Sequence, residues 1–134
     1  MATHYLPLPI AGDIIWCKFP EDEDLGNPGP KPRPGLILNA FPDIHAVLIT
    51  YGTSQHTGPD EIFPGEFVID DQLDTAGLSK ATKFDLNRLQ KLPFNTDWFG
   101  IAPGVERKSP LPKMGVIPPI FMSPMRAAWA KRKK

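Results

Sequence analysis

The sequence predicts a mainly β protein: a small SH3-like antiparallel barrel of about five to seven short strands, with long loops and a C-terminal helix. Three observations predict it. There are 17 prolines in 134 residues, well over twice the usual share of roughly 5%, which excludes long helices over most of the chain. Apolar, β-branched runs of strand length alternate with stretches rich in Gly and Pro. Helical spacing occurs chiefly at the C-terminal end, after Pro118.

GDIIWCKFP (residues 12–20) interleaves Ile14 and Trp16 with Ile15, Cys17 and Phe19, the pattern of a strand buried on both faces. Cys17 and Trp16 therefore read as core. Residues 21–34 carry four successive acids and then closely spaced Gly and Pro, and form a long exposed loop. GLILNAF (35–41) and HAVLITYG (45–52) flank Pro42-Asp43-Ile44 and read as an antiparallel hairpin. EFVID (66–70) is a short strand, and one helical turn follows it. KATKFDLNRL (80–89) alternates as another strand, with Thr82, Phe84 and Leu86 on one face and Lys83, Asp85 and Asn87 on the other. Residues 96–113 read as loop. Phe121, Met125, Ala128 and Trp129 stand at near-helical spacing, with Pro124 limiting the clean helix to its last turns and Trp129 anchoring it.

This length suits one domain, residues 12–130, between an N-terminal tail (1–11) and a basic tail (131–134). The zero net charge is a sum of unlike parts: residues 1–104 hold seven Lys/Arg against fourteen Asp/Glu, and residues 105–134 hold eight against one. The basic end is a solvated tail or a contact for a phosphate backbone. Cys17 is the only cysteine, so an internal disulfide or thiolate cluster is excluded. The start of the chain lacks a signal-peptide pattern, and the uncharged run before Arg126 is short and broken by prolines. The expected setting is cytoplasmic, without membrane contact.

The chain has no Gly-rich phosphate loop, no His pair at metal spacing and no nucleophile elbow. What remains is a set of polar groups at strand ends: Arg33 entering the second strand, Thr53 and Ser54 leaving the third, and Lys83 with Asp85 on a later one. A permanent, fork-shaped cation with hydroxyls, a second cation and a carboxylate suits a phosphodiester. If the substrate is RNA, its 2′-hydroxyl serves as nucleophile and no metal or cofactor is needed; the protein supplies base, acid and charge stabilisation.

GDIIWCKFP, KPRPGLIL, VLITYGTSQ and KFD, in that order, resemble the MazF/PemK family of toxin endoribonucleases over about residues 12–92. The resemblance implies a homodimer that cleaves single-stranded RNA and is held inactive by a cognate antitoxin protein. It implies that Arg33 is the catalytic arginine and that Thr53 and Ser54 bind or position the scissile phosphate; Gln55 and His56, next in the chain, are candidate substrate contacts, and the His56 imidazole suits proton transfer at neutral pH. Asp85 becomes the general base, and Lys83, standing where some members carry arginine, the acid or phosphate ligand. This chain departs from some relatives in its acidic first loop, EDEDLGNPGPK.

The same residues admit other roles. PKPRP is also a polyproline segment that stiffens a loop or docks on a partner. Thr53 and Ser54 suit a turn, Lys83 and Asp85 an exposed ion pair, and His56 an ordinary loop position. The whole barrel also suits a non-catalytic module that holds nucleic acid or protein, or a structural protein of a mobile element.

Overall fold

Among the described residues six antiparallel strands curl into a half-barrel and a helix closes the C-terminal end, which is the mainly β class the sequence predicts. This computed structural model describes residues 2–102 and 111–133; the basic segment at 107–110 and Lys134 lie outside the described residues. The strands are β1 (Asp13–Cys17), β2 (Arg33–Phe41), β3 (Ala46–Thr53), β4 (Glu66–Ile69), β5 (Thr82–Pro93) and β6 (Lys113–Val116). They lie in the order β4-β5-β3-β2-β1-β6. A four-residue helix α1 (Leu73–Ala76) precedes β5, and α2 (Met122–Lys131) follows β6.

Both faces of the sheet are buried, as the doubly apolar pattern of β1 requires. One face gathers Ile14, Leu36, Phe84 and Leu86 under Phe121 and Ala128. The other gathers Ile15, Cys17, Ile37 and Ile49 under Phe94 and Phe99. Large side chains on both faces are fully buried, and each contributes about 1.5–3 kcal/mol of apolar burial.

Local chemistry accounts for several departures from the sequence reading. β2 begins at Arg33 rather than Gly35, because Pro34 pairs only with Trp16 of β1 at a point where β3 has not yet joined, and a missing N–H costs no ladder bond there. β6 overlaps the stretch read as loop only at Lys113 and otherwise lies in residues 114–116, to which the sequence reading assigns no element; four residues are too few to show alternation, yet they pair with β1. Pro124 sits in the first turn of α2, where its nitrogen has no intrahelical acceptor, so the helix starts at Met122 instead of after the proline. Trp129 is 41% exposed and carries Arg132 at 3.6 Å over its ring; Phe121 and Ala128 are the buried residues at this end.

Neither end of the domain is loose where it is described. Thr96 N donates to Thr3 O at 3.0 Å and Tyr5 N to Phe94 O at 3.2 Å, so the expected N-terminal tail lies on the second core face. In the basic tail Lys133 N donates to Asn87 Oδ1 at 2.6 Å. Among the described residues no helix is long and apolar enough to cross a membrane.

Candidate functional site

Two transverse rows of residues set the candidate site. Ile15, Gly35, Tyr51, Asp85 and Glu66 stand opposite one another across five strands. In the adjacent row Arg33 faces Cys17, and Thr53 faces Lys83. Cross-strand partners share a face, so Arg33, Tyr51, Thr53, Lys83 and Asp85 project from one side of the sheet. The four catalytic candidates read from the sequence, Arg33, Thr53, Lys83 and Asp85, thus stand on one face of the sheet.

Tyr51 is the centre of that surface. The Arg33 guanidinium carbon lies 5.3 Å from its ring centroid, and that of Arg88 lies 4.9 Å from it. A bulge brings Arg88 there. Register runs from Thr50 opposite Leu89 to Tyr51 opposite Asp85, so residues 86–88 are extra on β5. The insertion reverses side-chain parity and turns Arg88 from the Phe84 face to the Tyr51 face. The buried Thr50 hydroxyl reaches the carbonyls of both Asp85 and Arg88 and secures the bulge.

Lys31, Arg33 and Arg88 line a cleft of about 230 Å3 beside Tyr51, together with Glu21, Asp22 and Glu23. The acidic loop therefore faces the cations. Asp22 Oδ1 lies 2.6 Å from Arg88 Nη2, whereas Asp24 is turned into its own loop by Asn27 Nδ2 at 3.0 Å. The loop is held close by Gly29, whose N donates to Lys18 O at 3.0 Å; a Cβ at Gly29 would stand 2.2 Å from Phe19 O. Three carboxylates balance three cations in a cleft open to solvent.

The remaining expected residues are more engaged. Lys83 is 8% exposed; its Nζ donates to Glu61 O at 3.0 Å and lies 3.2 Å from Glu66 Oε1. That ammonium ties the 61–66 turn to β5 instead of facing the cleft, and the pair with Asp85 read from the sequence is replaced by one with Glu66. Asp85 Oδ1 accepts from Asn87 N at 2.9 Å and Asn87 Nδ2 at 3.0 Å, which fixes the carboxylate. Thr53 Oγ1 accepts from Gln55 N at 3.1 Å, a local turn bond. Ser54 is exposed and lines a second cleft that Arg33 also borders. His56 is 69% exposed and its Nδ1 lies 2.6 Å from Glu61 Oε2.

Arg88 and Tyr51 are the site residues that sequence reasoning missed. Tyr51 read as an ordinary strand residue, and regular alternation assigns Arg88 to the opposite face. The one available signal was Asn87 after Asp85, a pair of turn-forming residues inside an otherwise regular strand. Asp13 is also buried, with Oδ1 3.2 Å from Lys113 Nζ at the β1–β6 edge. Cys17 is fully buried, and desolvation raises its thiol pKa far above the ordinary value.

No protein-family model and no curated protein matches this chain.

Proposed function

We propose that the chain is an endoribonuclease of single-stranded RNA that works by attack of the 2′-hydroxyl on the adjacent phosphate, without a metal. The observation that carries this reading is Arg33 at the head of β2, beside Tyr51 and Arg88 and bordering both clefts. Two guanidinium groups against one ring form a seat for a divalent-like anionic charge, and their protonation survives any ordinary pH. The order of motifs resembling the MazF/PemK family supports the same chemistry.

In this mechanism Arg33 stabilises the charge that grows on the phosphate oxygens, with Arg88 as a second contact. Asp85, one row from Arg33 and held by Asn87, takes the 2′-hydroxyl proton. The oxygen then bonds to phosphorus and the 5′-oxygen bond breaks, giving a 2′,3′-cyclic phosphate and a free 5′-hydroxyl. Lys83 reaches the leaving oxygen as acid only by giving up Glu66. A homodimer and a covering antitoxin follow from the family resemblance, as does a cytoplasmic setting.

Incubation with single-stranded RNA in EDTA tests the reading directly. Fragments ending in 2′,3′-cyclic phosphate are expected, with a loss on the order of 10² or more in rate for Arg33→Ala. Intact RNA at high protein concentration, or full activity in Arg33→Ala, sinks it. A second reading, RNA binding without cleavage, is favoured by the engagement of Lys83 with Glu66 and by the acids at the cleft. It predicts Arg33-dependent binding and no products.

A further inference from the structure

Trp16 departs from the core role predicted for it. Its neighbours Ile15 and Cys17 are buried to within 1% exposure, yet the indole is only half-buried and joins neither apolar cluster among the described residues. The backbone is fixed on both sides: Trp16 N donates to Pro112 O at 3.0 Å, and Trp16 O accepts from Gly100 N at 3.2 Å. A rigid strand therefore presents a partly open aromatic ring.

That ring lines a cleft of about 230 Å3 with Leu78 and Met114, and Arg33, Ser54 and the exposed Lys80 are among its polar lining. Arg33 borders this cleft and the Tyr51 cleft alike. The two differ in charge. On the Tyr51 side Glu21, Asp22 and Glu23 offset Lys31, Arg33 and Arg88, whereas among the described residues no carboxylate lines the Trp16 side and Lys80 adds a cation. A phosphate at Arg33 has a nucleoside on either hand, and the next phosphate along the strand meets balanced charges on the Tyr51 side and a net positive set, Arg33 with Lys80, on the Trp16 side.

We infer that the Trp16–Lys80 cleft is a nucleotide subsite: the nucleoside adjoining the Arg33 phosphate stacks its base on Trp16, and the following phosphate meets Lys80. The inference rests on the phosphodiester reading of Arg33 and extends it by giving the strand a direction of exit. Stacking on an aromatic face with a cation for the backbone is sequence-tolerant, so the class of ligand is single-stranded nucleic acid.

A protein carrying Trp98→Phe and Trp129→Phe retains Trp16 as its sole tryptophan. It is titrated with a fluorescein-labelled 2′-O-methyl oligoribonucleotide, which binds without being cut, and label anisotropy and indole emission are followed together. Trp16 emission should quench with the same Kd that anisotropy reports. Lys80→Ala, at an exposed position, should weaken both and lower the slope of log K against log salt by about 0.7. Trp16→Leu should weaken binding about tenfold, with Trp16→Phe retaining most of it. Arg33-dependent anisotropy with unquenched Trp16 overturns the subsite and leaves the phosphodiester reading standing. Absence of any Arg33-dependent binding removes both. Equal quenching by a poly-glutamate peptide overturns base stacking and makes an acidic peptide the occupant.

Discussion

Asp22 and Arg88, 66 residues apart in sequence, meet at 2.6 Å across the mouth of the Tyr51 cleft. If the cleft takes a nucleic-acid phosphate, as proposed, Asp22 competes with it for Arg88, and it does so from the acidic loop that faces the cleft. Both groups remain accessible, at 73% and 37% exposure, so the pair contributes at most about 1 kcal/mol to stability. Asp22→Asn is therefore expected to leave the denaturation midpoint almost unchanged while tightening oligonucleotide binding a few-fold, on the order of 1 kcal/mol or less. Anisotropy titration at low and moderate salt checks this; equal affinity in both proteins means that the loop does not compete with the ligand.

Lys83 and Glu66 are the opposite case. At 8% and 12% exposure this pair is largely desolvated. Removing one partner leaves a buried charge, and Lys83→Met or Glu66→Gln alone should lower unfolding free energy by about 3–5 kcal/mol. The double variant Lys83→Met, Glu66→Leu should recover much of the loss, because well-packed apolar residues often replace a buried pair at little cost. Urea denaturation measures the stability arm. If cleavage by the double variant approaches the wild-type rate, Lys83 is a structural pin; a stable but inactive double variant restores it as the acid.

The contrast between Asp22 and Lys83 shows where sequence pattern informs and where it stops. The strands of β1, β2, β3 and β5 were legible because two-sided burial and alternation follow directly from pleat geometry. Arg33 stood out as a candidate because it is a charge between two prolines at a strand entrance. Arg88 was not, since one bulge in β5 reverses parity and alternation contains no mark of it. The partner of Lys83 was also hidden: sequence spacing suggested Asp85, two residues away, whereas β4 pairing brings Glu66 to the same face. Trp16 was misassigned because side-chain composition gives strand and burial in one signal, and only the clefts around Arg33 separate them.

Cys17 gives a test of burial that is independent of function. Its thiol is fully buried and its pKa is raised by desolvation, so the native protein should resist alkylation at pH 8 and react only on unfolding. The sign of the linkage follows. A folded pKa above the unfolded value means stability that is complete below about pH 8.5 and lost as pH rises beyond it. Compared with Cys17→Ala, the wild-type advantage in unfolding free energy should shrink by about 2 kcal/mol between pH 7 and pH 10. A constant difference across that range contradicts the buried thiol.

Thr50 offers a way to disturb Arg88 without touching a charge. Its buried hydroxyl reaches the carbonyls of Asp85 and Arg88 at the β5 bulge, and valine keeps its shape while removing the donor. Thr50→Val should cost about 1–3 kcal/mol, the range for buried carbonyls that lose a hydrogen-bond donor. Its functional effect is separable from that cost. Where Arg88 contacts a phosphate, Arg88→Ala lowers the salt slope of oligonucleotide binding by about 0.7, the value for one contact to a single strand. Thr50→Val should move the slope part of the way to that value, because the guanidinium is present but no longer aimed at Tyr51. A wild-type slope in Thr50→Val, with the expected drop in Arg88→Ala, would show that packing around Tyr51 alone holds Arg88 in place. Equal slopes in all three proteins would remove Arg88 from the phosphate contacts.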